Sequence, residues 1–145
     1  MLNKVKNIIS KTDRFLSKKF GSDKSIKLLQ NIKEVKILFS YLCEIGSESE
    51  VRFVGGCVRK AFCGENIDDI DLATSFKPEE VKKKLTRMNI RVVDTGISHG
   101  TVTAIVNKKK FEITTLRKDV STDGRHANVQ FTLNWKEDAL RRDFT

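Results

Sequence analysis

At 145 residues, with 39% hydrophobic and 32% charged content, the chain reads as one compact domain large enough to bury a real core. Its formal charge of +9 favours polyanionic partners, RNA among them, although a basic balance is common to many soluble domains. No apolar run approaches membrane-spanning length and no secretory cleavage pattern follows Met1, so the expectation is a cytoplasmic protein without a membrane partner. The three cysteines, Cys43, Cys57 and Cys63, lack metal-ligand spacing and read as reduced thiols.

In chain order, the first third is helical in pattern. Residues 1–20 place Val5, Ile8, Ile9, Phe15, Leu16 and Phe20 among many lysines, and residues 25–45 continue through Ile26, Leu29, Ile32, Leu38 and Leu42. The spacing predicts two amphipathic helices broken near 21–24. A basic amphipathic helix is either an RNA arm, a membrane-surface segment, or a helix packing one face on its own domain. Residues 46–50 look like a linker, so the division is an N-terminal helical segment, 1–48, and a second unit, 49–145.

That second unit opens with the apolar strand pattern Val51, Phe53, Val54, followed by Gly55-Gly56 and a short helix from Cys57 to Phe62. Bare glycine backbone turns sharply and brings N–H groups and a helix start toward an anion, with Arg59 in reach of the same charge. A tight structural turn favours the same glycines. Residues 67–72 follow as a strand. Its period of two puts Ile70 and Leu72 on one face and Asp69 and Asp71 on the other, whereas Asp68 falls out of phase and reads as a strand-entry residue. Two such close carboxylates repel unless a cation lies between them, and a divalent metal on oxygen ligands supports in-line phosphoryl displacement. The alternative is an exposed polar strand face.

Lys77-Pro78-Glu79-Glu80 is a helix start, with Val81, Leu85 and Met88 as the buried stripe. Residues 91–94 read as a strand, and His99 sits in a glycine-bounded turn, a hydrogen-bonding loop residue rather than a base. Residues 102–106 and 111–116 then form a predicted hairpin about a turn at 107–110. Phe111 and Ile113 point one way, Glu112 and Thr114 the other. Paired beside the Asp69 strand, this hairpin presents Glu112 as a third carboxylate; alone, it is ordinary solvated surface. Residues 118–128 carry little apolar anchoring and are expected to be a mobile loop bearing Arg125 and His126. Val129, Phe131 and Leu133 read as a short strand. Asn134 with Glu137 suggests a capping box for a last helix bearing Arg141 and Arg142, with Trp135 as an anchoring aromatic.

Six ordered blocks carry a family resemblance: Gly55-Gly56-Cys57-Val58-Arg59, Asp69-Ile70-Asp71-Leu72-Ala73-Thr74, His99-Gly100-Thr101-Val102, Glu112-Ile113-Thr114-Thr115-Leu116-Arg117, Asp123-Gly124-Arg125 and Arg141-Arg142-Asp143-Phe144-Thr145. In order and spacing they resemble the head domain of bacterial CCA-adding enzymes and poly(A) polymerases, the second class of that nucleotidyltransferase group within the polymerase-beta-like superfamily. The resemblance implies an α+β fold, a small, mostly antiparallel twisted sheet with flanking helices. It implies that Asp69 and Asp71 bind Mg²⁺ and act in catalysis with Glu112, that Gly55, Gly56 and Arg59 contact the triphosphate, and that Arg117, Arg142 and Asp143 line the nucleotide side of the cleft. Arginines clamp polyphosphates in bidentate fashion, which suits those positions.

The function so implied is template-independent transfer of nucleotides from CTP or ATP to an RNA 3′ end, above all CCA addition to tRNA. The alternatives are poly(A) polymerase activity, or an inactive RNA-binding or complementing fragment of a split enzyme. Family members usually carry an acid or amide where this chain has Lys60. In the family the last block continues into a helical neck that selects the base, and then into body and tail regions holding tRNA. The sequence given stops at Thr145, so the expectation is an excised or gene-split head, or a partner chain supplying neck and body.

Overall fold

The computed structural model describes residues 24–43, 50–122 and 127–142. The helix expected in residues 1–20, the segment 46–49, the Asp123-Gly124-Arg125 block with His126, and Asp143 lie outside these residues.

The pattern read in residues 25–45 resolves into two helices, α1 (Lys24–Gln30) and α2 (Lys33–Leu42). The break falls at Asn31 and Ile32, where Ile32 is extended at φ −65°, ψ 121°. Asparagine interrupts helices because its side chain competes for backbone hydrogen bonds. Leu29, Val35, Leu38, Phe39 and Leu42 are all fully buried and share one core with the sheet. Phe39 and Phe53 hold their ring centroids 5.0 Å apart within it. This is the packed-helix alternative for that part of the segment.

Strand β1 (Val51–Val54) leads through Gly55 into α3 (Gly56–Cys63), then to β2 (Ile70–Thr74), α4 (Pro78–Arg87) and β3 (Arg91–Gly96). A single 3₁₀ turn (Ile97–His99) precedes the hairpin β4 (Thr101–Val106) and β5 (Lys109–Thr115). The five strands lie in the order β1-β2-β5-β4-β3. Every pairing is antiparallel except β2 with β5, which is parallel. Alternation does the placing: Phe111 and Ile113 are buried while Glu112 between them is exposed. On the apolar face α4 adds Val81 and Leu85 to the core. Its start is fixed by Pro78 and by Glu80 Oε2, which accepts the Lys77 N–H at 2.9 Å. Among the described residues no helix is long and apolar enough to cross a membrane.

Within the expected loop 118–128, residues 118–122, 127 and 128 are strand. Strands β6 (Arg117–Thr122) and β7 (Ala127–Phe131) form a two-stranded antiparallel ribbon, irregular between Asp119 and Ser121. Strand β7 contains Val129 and Phe131, the apolar pair that alternation marks as a strand, whereas β6, Arg-Lys-Asp-Val-Ser-Thr, is mostly polar in sequence and lacks that signal. Thr132 N–H donates to the Leu116 carbonyl at 2.9 Å, and Leu116 N–H to the Thr74 carbonyl at 2.8 Å. Leu133 lies beyond β7 and is exposed. Helix α5 (Trp135–Leu140) is capped by half of the expected box: Asn134 Oδ1 accepts from the Lys136 N–H at 3.0 Å. Glu137 instead accepts from the Thr132 hydroxyl at 2.6 Å, and Asn134 N–H donates to Thr132 Oγ1.

Candidate active site

Strand β2 begins at Ile70, so Asp69 stands at its mouth and Asp71 one residue inside it. Parallel pairing sets Asp71 directly opposite Glu112 on β5, and antiparallel pairing sets Glu112 opposite Thr103 on β4. These side chains open on one groove of about 610 Å³, lined among others by Asp69, Asp71 and Glu112. The structure therefore brings the three sequence-predicted carboxylates together. Asp71 is pushed up from the ordinary carboxylate value, first by burial, then by the negative charges of Glu112 and Asp69; Arg142 pulls it back. Charge of one sign has been concentrated where it costs stability, the signature of a site built for something other than folding.

The first residue of the double glycine stands beside Asp71. Gly55 has φ 68° and ψ −142°, a backbone that side-chain-bearing residues rarely adopt, and a Cβ built there would stand 3.7 Å from Asp71 Oδ2. Its carbonyl accepts the N–H groups of Val58 and Arg59 at 3.1 and 3.3 Å, so the helix begins beside the carboxylate, its positive end toward it. Buried Cys57 fastens α3 beneath, its thiol donating to the carbonyls of Val54 at 3.2 Å and Asp71 at 3.7 Å. Arg59 is exposed on the first turns of α3. Lys60 Nζ pairs with Asp68 at 3.2 Å, and Asn66 Nδ2 donates to the same carboxylate at 2.7 Å. Asp68 is thus a strand-entry residue, and Lys60 finds a local anion rather than adding a loose charge to the site.

Arg142 and Arg117 belong to a second constellation, organised by a residue the sequence did not flag. Asp138 on α5 is only 2% exposed. Its Oδ1 accepts the Arg117 backbone N–H at 3.1 Å and Arg141 Nη2 at 2.6 Å, and its Oδ2 accepts Arg142 Nε at 2.7 Å. Burial raises this carboxyl, but the hydrogen bonds from Arg142, Arg141 and the Arg117 N–H outweigh it and hold it below its ordinary value. The Arg117 guanidinium turns away from the Asp69 groove: Nη1 donates to the His99 carbonyl, and Nε stands 3.9 Å from Asp119 without a hydrogen-bond partner among the described residues. Burial, and then the neighbouring Arg141 charge, lower its pKa. Arg117 therefore braces the ribbon and the 3₁₀ turn, while Arg142 is the arginine whose charge reaches Asp71. The spacing of Asp138 with Arg141 and Arg142, three and four apart on a helix, was a readable signal; its burial was not. Trp135 anchors this end on Val54, Ala73 and Leu116, with Arg52 stacked 4.1 Å over its ring.

Residues 51–145 match the model of the Poly A polymerase head domain family. The chain belongs to this family. Over 100 residues it is 46% identical to CCA tRNA nucleotidyltransferase 1, mitochondrial, of Danio rerio, a match covering 68% of this chain and 23% of that protein. Over 97 residues it is 48% identical to the Homo sapiens protein of the same name, covering 66% and 22%. The solved CCA-adding enzyme of Bacillus stearothermophilus in complex with CTP superposes with a TM-score of 0.65 at 31% identity, over 86% of this chain and 27% of that one. The chain spans about a quarter of the length of these relatives. As a Poly A polymerase head domain, it gathers Asp69, Glu112, the Gly55 turn and the charge of Arg142 around Asp71.

Proposed function

We propose that this chain is a nucleotidyltransferase head that transfers nucleotides from CTP or ATP to the 3′ hydroxyl of RNA, with tRNA CCA addition as its reaction. The observation that carries this reading is the direct opposition of Asp71 and Glu112 across β2 and β5, with Asp69 on the same groove. The names of the relatives support CCA addition over polyadenylation. We assign the head to residues 49–145, with 1–48 as the N-terminal segment.

The donor set suits Mg²⁺. It consists of hard carboxylate oxygens, and the mutual repulsion that raises Asp71 is relieved by a cation. Magnesium is commonly held by one or two carboxylates together with water and substrate phosphates. Asp69 and Asp71 would hold it. Bound there, it would supply positive charge to the reacting phosphate and the departing pyrophosphate. Gly55 and Gly56 let backbone N–H groups approach the triphosphate, and Arg59 and Arg142 supply its counter-charge. Glu112 completes the acidic centre on the far side of Asp71 from the glycines. Arg117 acts through Asp138 and the ribbon, and Asp143 follows Arg142 as a further nucleotide-side residue.

The test is product analysis with tRNA lacking its 3′ terminus, Mg²⁺, and labelled CTP or ATP supplied separately. Ordered CTP and then ATP addition is expected. Long adenylate tails would move the assignment to polyadenylation, and RNA binding without incorporation would make the chain a binding or complementing fragment.

A further inference from the structure

The groove holding the carboxylates does not end at them. On the same face of the sheet, register pairs Glu112 with Thr103 and Thr103 with Val93, and one step along pairs Lys110 with Ile105 and Ile105 with Arg91. The groove is therefore a strip running across β5, β4 and β3, three strands wide, with Asp71 and Glu112 at one end and Arg91 at the other. At about 4.8 Å per strand the way from β2 to β3 is about 14 Å, long enough for more than one nucleotide.

The chemistry of this strip is graded. Its floor is partly apolar, from Val93 and Ile105, and Thr103 is tied to Thr95 by a hydroxyl hydrogen bond of 2.7 Å. Its cations are Arg91 and Lys110, both exposed. Nearby acids have other partners: Asp94 is paired with Lys82 at 2.6 Å, and Glu34 with Lys109 at 3.1 Å. Among the described residues no ion pair engages Arg91 or Lys110. Two exposed cations on a strip leading into three carboxylates attract a polyanion that arrives with one neutral end, which describes an RNA strand ending in a hydroxyl.

In-line displacement requires the attacking hydroxyl and the leaving pyrophosphate on opposite sides of the reacting phosphorus. The glycine turn and α3 lie on the β1 side of Asp71, and the Arg91–Lys110 strip lies on the β5 side. We propose that this strip is the track of the RNA primer, with Lys110 and Arg91 each contacting a backbone phosphate near the 3′ end. The inference rests on the nucleotidyl-transfer reading and adds to it the residues that position the second substrate.

The test is binding of a labelled short single-stranded RNA to the full 145-residue chain by fluorescence anisotropy, across a salt series and without nucleotide. Arg91→Ala with Lys110→Ala is expected to weaken binding roughly tenfold, as two lost exposed ion pairs would, and to make the slope of log affinity against log salt shallower by about 1.4. Lys83→Ala with Arg87→Ala, on the exposed side of α4, removes the same charge elsewhere. An equal change in that control overturns the track, because the effect would then be net charge alone; so does unchanged binding in the first variant. The assay needs no catalysis. A chain that binds RNA through Arg91 and Lys110 yet incorporates nothing would keep the RNA contact at this strip and make the chain a binding or complementing fragment.

Discussion

Asp138 is the residue whose removal should cost the fold most for one carboxylate. Five side-chain and backbone donors from Arg117, Arg141 and Arg142 converge on its two oxygens at 2.6–3.4 Å. Solvent screening is slight, because Asp138 is 2% exposed and the two arginine side chains 15% each. Asp138→Ala leaves the Arg117 N–H and two guanidinium groups without that acceptor, a loss of about 3–5 kcal/mol. At about 3 °C per kcal/mol for a chain of this size, thermal unfolding followed by circular dichroism should fall by about 9–15 °C. Asp138→Asn keeps an acceptor and should cost about half as much. The pH dependence has a definite sign. The folded carboxyl is the stronger acid, below its ordinary 3.8, so its contribution is whole above that value and is lost as pH falls through the folded value. The gap between wild type and Asp138→Asn should therefore close below about pH 4. An Asp138→Ala protein melting within about 2 °C of wild type would refute the reasoning.

Other expectations follow from single contacts. Gly100 has φ 84°, and a Cβ there would stand 2.8 Å from Phe131 Cε1; Gly100→Ala should destabilise by about 1–3 kcal/mol, measured by urea unfolding. Glu34 Oε1 and Oε2 accept from Asn107 and Lys109 at 3.1 Å each, clamping a hairpin turn whose two residues both have positive φ. Glu34→Ala should cost about 1–2 kcal/mol and raise amide exchange across the turn between β4 and β5. Asp71 is the reverse case, an acid made weaker by its surroundings, so its ionised form burdens the metal-free fold at neutral pH. Asp71→Asn should raise the melting temperature by a few degrees, about 1 kcal/mol, and abolish the further rise that Mg²⁺ gives wild type.

Much of the site was legible because several local signals agreed at each point. Val51, Phe53 and Val54 alternate into a core strand, Gly55 supplies a backbone that other residues resist, and Asp69 and Asp71 share a period of two. The hairpin that carries Glu112 announced itself by alternation, and its turn by Asn107. What pairing in the sequence could not give was the parallel contact of β2 with β5, since the two are separated by α4, β3 and β4 and nothing local records their adjacency. Of the ribbon, β7 was legible in the alternation of Val129 and Phe131, whereas β6 escaped because its run Arg117 to Thr122 is mostly polar and lacks the apolar period that marks a strand. Asp138 and Glu34 escaped for a shared reason: an acid within a helix reads as solvated surface, and only the tertiary fold buries it and brings up the Arg117 N–H to Asp138, and Asn107 and Lys109 to Glu34. Arg91 and Lys110 look like ordinary strand charges until register puts them on the face of Glu112.

The most direct measurement of the central claim is nucleotide incorporation by the purified chain, with tRNA lacking its 3′ terminus and labelled CTP, in Mg²⁺ and in chelator, beside Asp71→Ala. Incorporation by wild type in Mg²⁺, lost in chelator and in Asp71→Ala while both proteins keep the same circular dichroism spectrum, is the expected result. Incorporation that survives Asp71→Ala, or wild type that neither incorporates CTP nor binds it in Mg²⁺, would contradict a catalytic centre at Asp69, Asp71 and Glu112.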